Sequence, residues 1–119
     1  MNIQTGSTRP ESVTFIKKLG IKQRTINFDI VEVEGSFEWV SITLKLGEWS
    51  YSSIVKAIIY AKYSADQIEA INSNITRLMF APDSVPADKA AEYRTEALEF
   101  QTWRDHAKEI AKELLESEF

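Results

Sequence analysis

Cysteine is absent from this chain of 119 residues. Its absence removes disulfides, thiolate metal sites and cysteine nucleophiles together. Histidine occurs once, at His106, which excludes a multi-histidine metal site and leaves a general base that would need an orienting partner. Asp105 and Glu109 are near in sequence, but such neighbours are ordinary on an acidic helix, and a solvated surface is expected. Only four glycines occur, spread at 6, 20, 35 and 47, so there is no glycine-rich phosphate loop, and no spacing argues for a Ser-His-Asp arrangement. No run approaches the roughly 18 apolar residues of a membrane span, and the start, Met1 to Ser7, has neither a basic nor an apolar targeting region. These absences set the expectation of a cytoplasmic, non-enzymatic protein with no catalytic residue, cofactor or metal.

A basic excess is missing too. Residues 1 to 46 hold 6 basic against 5 acidic groups and residues 47 to 119 hold 8 against 13, which gives the net charge of −4. An acidic second half disfavours tight non-specific nucleic-acid binding, which depends on neutralising phosphates.

What is present is a hairpin pattern. Around Gly35, Val33, Val31, Ile30, Phe28 and Ile26 fall opposite Phe37, Trp39, Val40, Ile42 and Leu44 if paired residue numbers sum to 70, with Glu34-Gly35-Ser36 as a three-residue loop. Side chains alternate across a strand. This register therefore places Ile26, Phe28, Ile30, Val40, Ile42 and Leu44 on one face and Val31, Val33, Phe37 and Trp39 on the other. It also sets Glu32 against Glu38, a like-charge pair that costs at most roughly 1 kcal/mol. Val13 to Lys18 reads as a further strand, with Gly20 in the turn after it, pairing Phe15 with Ile26 and Val13 with Phe28. The result is a three-stranded antiparallel meander over residues 13–46, preceded by a frayed stretch at 1–12.

Beyond Gly47 the period changes from 2 to 3.6. Ser50 can cap a helix bearing Tyr51, Ile54, Val55, Ile58 and Ile59 on one face. Ser64 with Gln67 makes a capping-box pattern for a second helix, Ala65 to Met79, with Ile68, Ile71, Ile75 and Leu78 at helical spacing. Pro82 and Pro86 bracket a loop, and from Ala87 to about Glu116 neither Gly nor Pro interrupts a third helix whose stripe is Tyr93, Ala97, Phe100, Ala107, Ile110 and Leu114. Its length of roughly 45 Å exceeds the width of a domain of this size, so it bends, breaks or projects. The fold expected is α+β: the meander followed by three helices at 50–117, the last one long, as a single domain over 1–119.

Several charged and aromatic groups invite a functional reading. Glu32, Glu34 and Glu38 could gather at the hairpin tip around a hard cation, and Lys17, Lys18, Lys22 and Arg24 flank the first turn, where an anion or acidic partner could dock. Solvated charge is the expectation for both groups. Trp49, Tyr51, Tyr60, Tyr63 and Trp103 concentrate large rings of the kind enriched in binding hot spots, yet in so small a domain burial in the core is expected for Trp49, Tyr51 and Trp103. Val31, Val33, Phe37 and Trp39 stand apart, since their face must be covered by the chain itself or by another molecule. They are the candidate partner-binding residues.

The segments Gly47-Glu48-Trp49-Ser50-Tyr51, Tyr63-Ser64-Ala65-Asp66-Gln67-Ile68-Glu69-Ala70-Ile71, Phe100-Gln101-Thr102-Trp103-Arg104 and Ala107-Lys108-Glu109-Ile110-Ala111 resemble a group of small uncharacterised proteins encoded in phages, prophages and mobile elements of gut bacteria. More distantly, the aromatic-Gln-x-Trp-Arg helix is similar to the C-terminal region of phage tail-fibre assembly proteins. The resemblance implies a virion-associated or assembly-accessory role through a protein partner, such as a phage structural protein or a second copy of the chain, and supplies no active site. A small nucleic-acid-associated regulator of a mobile element is the alternative.

Overall fold

The computed structural model describes residues 3–18, 21–45 and 49–117, and the side chains of these except 14–18, 21, 22 and 117. Strands come first: β1 (Ile3–Gly6), β2 (Val13–Lys18), β3 (Ile21–Val33) and β4 (Ser36–Leu44). The helices α1 (Tyr51–Lys62), α2 (Ala65–Phe80) and α3 (Ala87–Ser117) follow, with a single 3-10 turn at Pro82–Ser84 before the last. The α+β class, the antiparallel meander and the three helices ending in a long one are thus as expected. No helix of the described residues is long and apolar enough to cross a membrane. Backbone contacts gather the chain into two compact units, Met1–Lys62 with Ala107–Phe119, and Tyr63–His106.

In the first unit the sheet has four strands, not three, in the order β1-β4-β3-β2. Residues 1–12 therefore do not fray throughout: Ile3 pairs with Val40 and Gly6 with Phe37. Gly6 makes this edge possible, because a Cβ there would lie 2.8 Å from Cη2 of Trp39, whose ring lies over the glycine. Farther along, the Asn27 N–H donates to the Ser12 carbonyl at 2.8 Å and the Asn27 amide donates to the Glu11 carbonyl at 2.8 Å.

The hairpin register differs from the sum-70 expectation. At the base Ile26 pairs with Ile42 and Phe28 with Val40, and at the tip Val31 pairs with Glu38, Glu32 with Phe37 and Val33 with Ser36. Two physical causes account for this. The turn holds two residues, Glu34 and Gly35, at φ of 50° and 82°, the pair of positive values that matches the twist of the flanking strands. A bulge then opens between Phe28 and Val31, where Asp29 sits at φ 52°. Asp29 and Ile30 together oppose Trp39, as in bulges whose first residue is left-handed, a conformation Asp tolerates better than most. Glu32 and Glu38 no longer face each other, which removes the like-charge cost. The β2 pairing is displaced by two residues as well: Val13 meets Ile26 and Phe15 meets Arg24. Ending the ladder at Lys18 with Ile21 leaves only two residues for the connection. Those two, including Gly20, lie outside the described residues, as do Gly47 and the change of period placed there.

Side-chain parity at the base survives these shifts because each is even. Ile26, Phe28, Val40 and Leu44 are buried on one face, and α1 packs on β4. Ile54 and Ile58 of α1 have no exposed surface, as their one-turn spacing requires of a core-facing stripe. Ser50 caps this helix by accepting from the Ser53 N–H at 3.2 Å. Tyr51, expected in the core, is exposed, since it begins the first turn rather than lying under it. The opposite face of the base is polar, with Thr25 and Asn27 buried: the Thr25 hydroxyl bonds that of the exposed Thr43 at 2.8 Å, and the half-buried Ser41 hydroxyl donates to Asn27 Oδ1. Ala107, Ile110, Ala111 and Leu114 add four buried side chains from the end of α3.

The second unit is helical. Its capping box is present in full, with Gln67 N–H donating to Ser64 Oγ at 3.1 Å and Ser64 N–H to Gln67 Oε1 at 2.7 Å. Ile71, Ala90, Phe100 and Trp103 are its buried side chains. Pro86 accepts from the Ala90 N–H at 2.9 Å and opens α3. That helix is continuous over 31 residues, so the break considered for it does not occur.

Candidate functional site

The four residues expected to form one patch are separated by the bulge. Residues paired across a ladder share a face, so Val31, opposite Glu38, and Val33, opposite Ser36, fall on the side that carries Phe28 and Val40. Phe37 and Trp39 fall on the other. Val31 and Val33 are 51% and 42% exposed, whereas Phe37 and Trp39 are half-buried. The same register puts Glu32 and Glu38 on opposite faces with Glu34 in the turn, and no group of three acidic or histidine side chains among the described residues could hold a metal ion. The side chains of Lys17, Lys18 and Lys22 lie outside the described residues. Arg24 is stacked 4.5 Å from the centroid of the half-buried Trp49 ring, a cation–π contact. Trp103 is buried as expected, and His106 is exposed with its ring 5.6 Å from that indole.

A concave site does occur in the helical unit, and it is built by the capping box. Closing the first turn of α2 on Ser64 sets Tyr63 just outside the helix, Gln67 in its first turn, and Ala70 and Ile71 one turn farther on. Tyr63 is held by Phe100 of α3, the two rings meeting edge to face at 5.1 Å and 84°. Glu96 and Glu99 lie four and one residues before Phe100 and bring two carboxylates to the same place. These residues line a cavity of about 290 Å³: Tyr63, Gln67, Ala70, Ile71, Glu96 and Glu99. Ile71 is buried at its floor and Tyr63 and Glu96 are half-buried, while Gln67 and Glu99 reach solvent.

Burial raises the Tyr63 phenol above the ordinary tyrosine value of 10.0, and the negative charge of Glu99 raises it further. Both effects disfavour the phenolate. The phenol consequently stays neutral at physiological pH, and the formal charge of the cavity lining is that of the two carboxylates. Outside the cavity, Lys89 donates to Glu92 at 3.2 Å, and that bond raises the lysine pKa.

Read along the sequence, Tyr63 is only one of several clustered rings, and Glu96 and Glu99 do not stand out as site residues. A signal for them does exist. Three and four residues to either side of Glu96 stand Glu92, Tyr93, Glu99 and Phe100, and around Glu99 stand Thr95, Glu96, Thr102 and Trp103. Neither carboxylate has a basic neighbour at the spacings where helical ion pairs form. No protein-family model matches this chain, and neither does a curated protein or a solved structure.

Proposed function

We propose that this chain is a non-enzymatic protein-interaction or assembly-accessory factor of phage or mobile-element origin, working in the cytoplasm or on the virion through contacts made by its helical unit. The observation that carries this reading is the end of α2, where the adjacent Met79 and Phe80 are 70% and 81% exposed. Phe80 follows Ile71 by nine residues, which places it half a turn round the helix from the buried stripe. Large apolar groups held side by side in water mark interaction surfaces, and Met and Phe are enriched in interface cores. The setting rests on the likeness of segments 47–51, 63–71, 100–104 and 107–111 to phage and mobile-element proteins.

The test is capture of a phage structural or assembly protein by the tagged chain, compared with a Met79→Ser, Phe80→Ser double variant of unchanged circular dichroism. Loss of capture in the variant supports the reading. Equal capture by both proteins removes this surface from it. Binding to DNA that weakens steeply with salt would transfer the function to the regulator alternative.

A further inference from the structure

We propose that the cavity between Tyr63 and the Glu96–Glu99 pair is a receptor for a single arginine side chain of a protein partner. This deepens the interaction reading above by naming the chemistry of the contact, and it stands on the cavity rather than on the Met79–Phe80 surface.

Four features of the molecule converge on that occupant. First, size: about 290 Å³ is at the lower limit of the roughly 300–1,000 Å³ common for small-molecule pockets, which suits one inserted side chain. Second, lining: the Tyr63 ring, the apolar side chains of Ala70 and Ile71, and two carboxylates offer a surface for the methylene stem and a negative end for the head group. A planar guanidinium can lie on the Tyr63 ring while its N–H fork engages a carboxylate in two parallel bonds.

Third, local charge. Glu96 and Glu99 are one helical turn apart, close enough to share one cation, and neither has an ion-pair partner among the described residues. Glu92, by contrast, is already paired with Lys89 at 3.2 Å. Fourth, the wider field: residues 63–106 hold eight acidic against four basic groups, whereas the other unit holds ten of each, so the whole net charge of −4 belongs to the unit with the cavity. That field attracts a basic partner and favours its approach at low salt.

The probes are three pentapeptides, acetyl-Gly-Gly-X-Gly-Gly-amide, with X as arginine, lysine or citrulline, titrated into the full chain and followed by amide and aromatic NMR shifts. The arginine peptide should move the resonances of Tyr63, Gln67, Ala70, Ile71, Glu96 and Glu99 with an affinity on the order of millimolar, as expected of one charge-assisted contact. Lysine should bind several-fold more weakly, and citrulline, which has the shape without the charge, should not bind. Glu96→Gln with Glu99→Gln should weaken the arginine peptide about ten-fold, and Tyr63→Leu should abolish its preference over lysine.

Equal shifts from citrulline, shifts elsewhere on the chain, or an unchanged affinity in the double glutamine variant would each overturn the proposal. Because the peptides need no partner, their failure ends the arginine receptor and leaves the Met79–Phe80 test standing. Peptide binding retained by the Met79→Ser, Phe80→Ser variant, together with unaltered protein capture, would instead retire that surface alone.

Discussion

The two units of this molecule bury their apolar side chains to different depths. In the sheet unit Ile26, Ile54 and Ile58 lose all exposure, whereas the largest buried groups of the helical unit, Phe100 and Trp103, retain 5% and 8%. Both units leave large apolar groups in solvent, Ile3, Val31, Val33, Tyr51 and Tyr60 in the sheet unit at 42–62% exposure and Met79, Phe80 and Leu98 in the helical unit at 69–81%. A sheet brings apolar residues from distant strands onto one face, which a helix can then cover. A short helical element hides only a stripe of each helix and must leave the rest wet. The sheet unit is therefore suited to supply stability, while the helical unit keeps the cavity and the most exposed of the large apolar groups among the described residues.

Truncation inside each core is the severest way to break this contrast. Ile58→Ala should lower unfolding free energy by about 2 to 5 kcal/mol, as for fully buried large-to-small changes. Ile71→Ala, in a partly wet stripe, should fall near the lower end, about 2 kcal/mol. Urea denaturation of both variants checks the ranking, and a larger loss from Ile71→Ala would invert it.

Backbone substitutions come next. Gly35 has φ of +82° with nothing within 4 Å of a built Cβ, so Gly35→Ala is a conformational penalty without a clash and should cost about 1 kcal/mol. Ser64→Ala removes one half of the capping box and should cost about 1 kcal/mol. Hydrogen exchange separates the two: the first variant should loosen the β3–β4 tip, and the second the first turn of α2. Protection lost across both units by Ser64→Ala would show them to unfold together.

The smallest effect concerns Tyr63. Its folded pKa is raised, so between the unfolded and folded values the native state holds the proton more tightly. The associated stability is complete below the unfolded value, near 10, and is lost as pH rises through the folded one. Glu99→Gln should lower the Tyr63 titration midpoint toward the ordinary value without reaching it, because burial remains. Aromatic NMR resolves Tyr63 from the other tyrosines. A midpoint unmoved by Glu99→Gln would remove that carboxylate from the neighbourhood of the phenol.

Features that depend on a few adjacent residues are legible in the amino-acid sequence alone. Ser64 and Gln67 specify their cap because both partners lie within one turn, and Ile54 and Ile58 reveal their common burial by spacing. The even-numbered apolar face at the hairpin base is readable for the same reason. Its register is not, since moving every pair by two residues leaves the same apolar pattern in place.

The cavity is beyond such a reading for a different reason. Tyr63 and Phe100 are brought together by the pairing of two helices, and no local pattern links them. β1 is hidden because Ile3-Gln4-Thr5-Gly6 has little apolar alternation of its own, and its place depends on Gly6 fitting beneath Trp39.

By itself the sequence determined the element types, the helix starts, the core stripe of α1 and the net acidity of residues 47–119, all properties of short-range chemistry and counting. Tertiary structure alone decided the bulge at Asp29, and with it that Val31 and Val33 part from Phe37 and Trp39. A left-handed residue in mid-strand is stable only when the ladders on either side hold it, and one such residue reverses the facing of every side chain beyond it.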